Sequence, residues 1–319
     1  MANKSGKPQT GLLQQDFTVL DNKAPQKILS FDAVNEPAAK ADPPVEVILV
    51  IDTVNASFDA VSNERLQIQK FLRQNGGKLA YPTSIVVFSN SGLKSEEAPT
   101  LDGNAISANL EANEGIGLRS THASAGASGA SERFVLSIGN LNSLITANAR
   151  KPGRKMVIWF TPGWPLLVGA EVNMSPQNKQ GLFASVVATS YALRVGRITL
   201  YDIDPGGSSG GFGAPGSANG PSDKFAYQSF VKGVPSAKSV SPPDLSLQVL
   251  ATQTGGRVLV NGNDIANQLQ SCVDDASAFY VLSFQGATAE QPDQYHAIEL
   301  KIDKPGLTAR TRTGYYAQP

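Results

Sequence analysis

A run of apolar residues, Val47-Ile48-Leu49-Val50-Ile51, ends in Asp52 and continues as Thr53-Val54-Asn55-Ala56. A short apolar run that does not alternate with polar residues reads as a strand buried on both faces, as in a parallel sheet covered by helices. The carboxylate then falls at the carboxyl edge of that sheet, where open α/β folds carry their ligand sites. The same turn limits the chemistry available there. A divalent cation needs several converging oxygens, and Val54 and Ala56 supply none.

The rest of the chain repeats this grammar. Apolar strands are expected at 84–88, 155–160, 198–204 and 258–260. Helical patterns lie between them at 62–74, with Ser62 or Asn63 as cap, and at 104–112, 132–148, 178–195, 243–253 and 264–275. Strands alternating with helices predict an α/β domain over 45–276, a doubly wound and mostly parallel sheet flanked by helices. Residues 36–44 read as a proline-rich linker, 115–131 as a long Gly/Ser/Ala loop and 205–222 as a low-complexity surface insertion. Both ends read as strands only: 17–20 and 28–31 before the core, 278–283, 296–302 and 307–312 after it. Neither flank has the apolar surface to fold alone. Residues 1–44 are therefore expected to pair with 277–319 in a small β-sandwich.

Composition excludes several classes. The chain has 27 basic and 27 acidic residues, which argues against nucleic acid or an anionic membrane as the main partner. No apolar run approaches the roughly 20 residues that span a bilayer. Cys272 is the single cysteine, so no internal disulfide forms, and it reads as a small buried residue. His122 falls in the 115–131 loop and His296 in a strand, where a surface or packing role is expected. The first residues lack an apolar signal segment, so the protein is either cytoplasmic or lacks an export signal that was removed.

Catalytic motifs are formal rather than functional. Gly206-Gly207-Ser208-Ser209-Gly210 fits a nucleophile elbow, and Gly211-Phe212-Gly213-Ala214-Pro215-Gly216 fits a dinucleotide fingerprint. Both need a helix immediately afterwards, and Pro215 and the glycines argue against one. Asp202 and Asp204 alternate on one strand and share a face. They serve either as an acid/base pair or as one loop cap and one solvated carboxylate. No catalytic residue is assigned. Trp164-Pro165-Leu166-Leu167 emerges at the same edge as Asp52. It reads either as a partner-binding patch or as a plug that folds back over a helix end.

Several segments together resemble the von Willebrand factor A-related family described from acidobacteria. They are Asp16-Phe17-Thr18-Val19-Leu20-Asp21-Asn22, the strand into Asp52-Thr53-Val54-Asn55, Pro152-Gly153-Arg154-Lys155, Thr254-Gly255-Gly256-Arg257 and Thr313-Gly314-Tyr315-Tyr316. The related adhesion domains hold a metal with Asp-x-Ser-x-Ser, a threonine on a second loop and an aspartate after a later strand. Here only Asp52 matches, and Thr161-Pro162-Gly163 stands where the last aspartate would be. The resemblance implies a non-enzymatic protein-interaction or adhesion module, secreted, periplasmic or in a bacterial envelope. It would bind a protein partner through edge loops 53–61, 89–100, 115–131 and 161–170, with Asp52, Trp164, Leu166 and Leu167 as contacts. The alternative it implies is an adhesion domain holding Mg²⁺ or Ca²⁺ in a remodelled site built from Asp52, Asn55 and Thr121 or Ser89. Otherwise Asp52 is an acceptor that holds the loop amides.

Overall fold

Among residues 1–3, 6–34, 45–95, 98–112, 126–168, 174–205, 225–260, 262 and 264–318, which the computed structural model describes, the apolar runs become strands of one sheet. Four short strands lead in: β1 (Ala2–Asn3), β2 (Phe17–Asp21), β3 (Ala24–Gln26) and β4 (Ile28–Val34). The core follows as β5 (Val45–Asp52), α1 (Phe58–Leu72), β6 (Lys78–Ser89), β7 (Gly92–Ser95), β8 (Thr100–Asp102), α2 (Gly103–Ala112), α3 (Gly126–Asn148) and β9 (Arg154–Phe160). It continues through α4 (Pro176–Val195), β10 (Ile198–Ile203), α5 (Leu247–Gln253), β11 (Val258–Leu259) and α6 (Ile265–Val273). The chain closes with β12 (Phe279–Phe284), β13 (Gln294–Ile302), β14 (Leu307–Thr308) and β15 (Gly314–Ala317).

The main sheet runs in the order β11-β10-β9-β5-β6-β7, with β8 also on β6. Strands β11, β10, β9, β5 and β6 are parallel; β7 and β8 are antiparallel additions. This is the doubly wound architecture expected from the alternation of elements. Because β6 lies on one side of β5 and β9 on the other, the order reverses between β5 and β9. A crevice opens at such a switch point, at the carboxyl ends of the strands.

Strand period two divides the core. Val47, Leu49 and Ile51 pack with Val61 and Ile68 of α1, Ile106 and Leu110 of α2, and Ile265, Leu269 and the buried Cys272 of α6. Ile48 and Val50 pack on the other face with Leu141 and Leu144 of α3, Leu193 of α4 and Leu247 and Leu250 of α5. Each fully buried side chain of this kind stabilises by about 1.5–3 kcal/mol relative to exposure.

Several boundaries differ from expectation for local reasons. Helix α1 starts at Phe58 because Ser57, not Ser62 or Asn63, is the cap; its Oγ accepts from Ala60 N at 3.2 Å. Helix α3 begins at 126 and takes in part of the expected 115–131 loop. Within the expected 89–100 loop, Gly92–Ser95 (β7) folds back on β6 as a hairpin and Thr100 begins β8. At the end of the chain only Leu307–Thr308 of the 307–312 segment is strand, and β15 was not anticipated. The linker 36–44, His122 and the Gly/Ser motifs at 206–216 lie outside the described residues.

The terminal strands meet one another. β2 pairs with β13, β4 with β12 and β13 with β15, all antiparallel. Phe17 of β2 touches Phe31 of β4 and Tyr280 of β12, with ring centroids 5.5 and 5.2 Å apart. His296 is buried in this region, with Nδ1 2.9 Å from Asp21 Oδ1, while Tyr315 Oη donates to Asp21 Oδ2 at 2.7 Å. Tyr316 of β15 packs edge-on against Phe183 of α4 at 6.0 Å. Among the described residues no helix is long and apolar enough to cross a membrane.

Two glycines test the packing in opposite directions. A Cβ at Gly256 would overlap the Leu200 carbonyl, whereas one at Gly139 on α3 would meet nothing within 4 Å. Gly256→Ala is expected to destabilise by about 2 kcal/mol or more, and Gly139→Ala to stabilise by about 0.5–1 kcal/mol. Urea denaturation of both variants checks this.

Candidate functional site

Strand β5 ends at the switch point, and the chain must turn there into α1. Asp52 is the device that makes the turn. Its Oδ1 accepts from the backbone amides of Val54 at 2.9 Å and Asn55 at 2.8 Å. Its Oδ2 accepts from Asn55 Nδ2 at 2.8 Å and from the indole Nε1 of Trp159 at 3.0 Å. Asn55 Nδ2 also donates to Ser137 Oγ on α3 at 2.9 Å, and Thr53 Oγ1 donates to Phe88 O on β6 at 2.9 Å. One carboxylate thus links β5, β9 and the first residues of the turn, and Asn55 carries the network to α3. Asp52 is 0% exposed. Burial pushes its carboxyl above the ordinary value, opposed by the donors from Asn55, Trp159 and Val54.

The two apolar residues of the turn have a packing role. Val54 joins the core on the α3 side and Ala56 the core on the α1 side. Where hydroxyls would stand in a metal-binding turn, this chain closes both halves of its core.

The Trp164 segment completes the seal. Gly163 has φ +104, which turns the chain back after β9; a Cβ there would overlap the Gln248 side-chain amide. Trp164 consequently packs edge-on against Trp159, with centroids 5.2 Å apart and an exposure of 2%. Trp164 was expected among the partner contacts, and the structure corrects this: its ring is inside the crevice and reaches no surface. Leu166 and Leu167 are half-buried, and Leu167 packs against the cluster of Phe183 and Val186.

The acids around this edge are buried as well. Asp202 pairs in register with Trp159, and Asp204 follows two residues on, so both share the Trp159 face. Neither is solvated, contrary to the reading of one cap and one exposed carboxylate. Burial, then Asp204 and Asp52, hold the Asp202 carboxyl well above the usual range. On the α1 side Glu64 is fully buried, and both its carboxyl oxygens lack a hydrogen-bond partner among the described residues. Burial, then Asp52, push it up in the same way. Among the described residues Asp202 Oδ1, Asn55 Oδ1, Gln248 Oε1, Ser246 Oγ and Trp164 Nε1 are also without partners.

These residues do not fit a divalent cation. Both Asp52 oxygens face N–H donors, and a cation approaching them would meet protons rather than lone pairs. Thr161 is buried, with Oγ1 accepting from Gly163 N at 3.3 Å. Ser89 Oγ lies 2.9 Å from Ser91 Oγ. Thr121, the remaining expected ligand, lies outside the described residues. Among the described residues no group of three or more His, Cys, Asp or Glu side chains is placed to hold a metal. The sequence reading missed Trp159, Ser137, Glu64 and Gln248 as members of the edge. Within an apolar strand or an amphipathic helix nothing distinguishes a residue that donates across the sheet.

No protein-family model and no curated protein matches this chain. Among solved structures, the human COPII-coat protein Sec24c matches with TM-score 0.38 and 10% identity, over 77% of this chain and 35% of that one. The chain thus spans about a third of the length of Sec24c. The N-terminal domain of TFIIH p34 matches with TM-score 0.27 and 10% identity, over 54% of this chain and 82% of that one.

Removing Asp52 leaves two amides, an indole and a side-chain amide without their acceptor, so Asp52→Ala is expected to cost about 3 kcal/mol or more. A second expectation concerns pH. Glu64 and Asp202 have folded values raised above their unfolded ones, so the folded state holds more protons once pH exceeds the ordinary carboxylate range. Stability therefore falls as pH rises there, by at most about 1.4 kcal/mol per pH unit per group. Glu64→Gln and Asp202→Asn are expected to gain stability at pH 8 relative to the native chain, with the gain shrinking toward pH 4. Urea titrations at several pH values measure it.

Proposed function

We propose that this chain is a non-enzymatic protein-interaction module, a von Willebrand A-like domain that binds its partner at the carboxyl edge through apolar side chains rather than a metal. The observation that carries the reading is the exposure of large apolar residues on the segments that leave the sealed Asp52 turn and the Trp164 plug. Phe58 opens α1 directly after that turn and is 59% exposed. Val168 follows the Trp164 plug and is 60% exposed. Apolar side chains around a rigid rim are what a protein partner covers. The sealed crevice supports the same reading. Asp52 is committed to the turn, and Asp202 and Glu64 are buried, with burial raising both carboxyls above the ordinary range, so the edge offers shape and apolar surface rather than exposed charge. The resemblance read from the sequence extends the proposal to a secreted or envelope-associated bacterial protein.

Paired variants test this. Phe58→Asp with Val168→Asp is expected to abolish capture of partners from a bacterial envelope extract without lowering the melting temperature, since both side chains already face solvent. Equal capture by native and variant chains would overturn it. Mg²⁺ and Ca²⁺ are expected to leave the melting temperature unchanged. A rise of several degrees that disappears in Asp52→Ala would instead indicate a cation selective for the folded state, and with it the metal-dependent reading.

A further inference from the structure

The amino edge of the sheet, opposite the Asp52 site, carries a cleft of about 770 Å³ between β9 and β10 on one side and the terminal strands on the other. Arg154, Arg194, Arg197, Arg310 and Arg312 line it, facing the carboxylates of Asp32 and Asp275. They come from separate places in the chain. Arg154 opens β9, Arg194 lies in the last turn of α4, Arg197 precedes β10, and Arg310 and Arg312 lie on the strap between β14 and β15. The chain has equal numbers of acidic and basic residues, so this concentration of charge does not follow from general basicity.

Little in the protein neutralises it. Asp275 Oδ1 accepts from Arg310 Nη2 at 2.5 Å, and its Oδ2 lies 3.7 Å from Arg257 Nε. Arg312 donates to the carbonyls of Leu193 at 2.9 Å and Ile198 at 2.7 Å. Arg154 stands over the Phe279 ring at 4.9 Å and Arg194 over Tyr191 at 5.2 Å. Among the described residues no carboxylate pairs with Arg154, Arg194 or Arg197. The cost of crowding shows at Arg312, which burial first, and then Arg194 and Arg154, push down to about 10.

We propose that this cleft binds a small organic oxyanion, with its phosphate or carboxylate head on Arg154, Arg194 and Arg197 and its apolar body against Phe279 and Leu282. The planar guanidinium fork matches both oxyanions in a way a lysine does not. A concave, partly apolar surface on which five guanidinium groups outnumber two carboxylates attracts anions, and the volume is that of a small-molecule site. The cleft is also preformed. A Cβ at Gly255, which has φ +83, would stand 2.8 Å from the Thr311 backbone, and Thr313 N donates to Gln253 O at 3.1 Å. The strap that carries Arg310 and Arg312 is therefore fixed against the end of α5.

Calorimetric titration of the full chain with phenyl phosphate, phthalate and inorganic phosphate, against sodium chloride of equal ionic strength, tests the proposal. One aromatic probe is expected to bind about tenfold more tightly than inorganic phosphate, and the tighter of the two identifies the head group. Arg154→Gln combined with Arg197→Asn is expected to weaken it about tenfold or more. Asn suits the left-handed backbone at position 197, where φ is 52. Arg194→Gln, at an exposed position, repeats the test should that pair fail to fold. Absence of binding beyond the salt control, or unchanged affinity in the folded variants, would overturn the proposal and leave these arginines to the α4 carboxyl end alone.

Discussion

The Asp52 carboxylate accepts four hydrogen bonds, from two backbone amides, the Asn55 side chain and the Trp159 indole, and the carboxyl edge is built around them. A buried carboxylate is costly unless its lone pairs are filled by donors. Here they are filled, and the donors come from the turn and from the neighbouring strand. The turn that launches α1 and the strand that begins the second half of the sheet are therefore held by one group. Through Asn55 and Ser137 the same network reaches α3 on the helical layer above.

What lies over that network follows from it. Once Trp159 points its indole at Asp52, its ring forms an apolar floor at the switch point, and Phe88 and Trp164 pack on it edge-on at 5.8 and 5.2 Å. Val54 and Ala56 extend the two cores to the end of β5. A crevice that an open α/β fold leaves for ligands is closed with side chains. Phe58, the first residue of α1 after this turn, and Val168, four residues after Trp164, are left exposed.

The two edges of the sheet contrast in charge. At the carboxyl edge, burial first, and then neighbouring carboxylates, raise the carboxyls of Glu64 and Asp202. At the amino edge, arginines gather in an open cleft beneath the terminal strands. The zero net charge of the chain conceals this segregation. It arises because the β2–β13 and β4–β12 pairings draw the two ends of the chain over the amino ends of β9 and β10, carrying Arg310 and Arg312 with them.

The α/β core was legible because burial on both strand faces and helical periodicity are local patterns. Val47–Ile51, Lys155–Phe160 and the helix carrying Leu141 and Leu144 each announce themselves within a few residues. The position of Asp52 at the carboxyl edge, and the lack of oxygen ligands at Val54 and Ala56, were legible for the same reason. The cap at Ser57, the β7 hairpin and β15 were not, because each depends on which of several permissible residues finds a distant partner. Trp164 shows the limit most directly. As a string of residues it fits a contact patch or a plug equally well, and only the ring of Trp159 at 5.2 Å selects the plug. Sequence alone determined the fold class and the residue at its switch point, since both rest on short-range periodicity. Tertiary structure alone decided that the carboxyl edge is sealed and that the arginines of four separate segments share one cleft, because both are contacts between residues far apart in the chain.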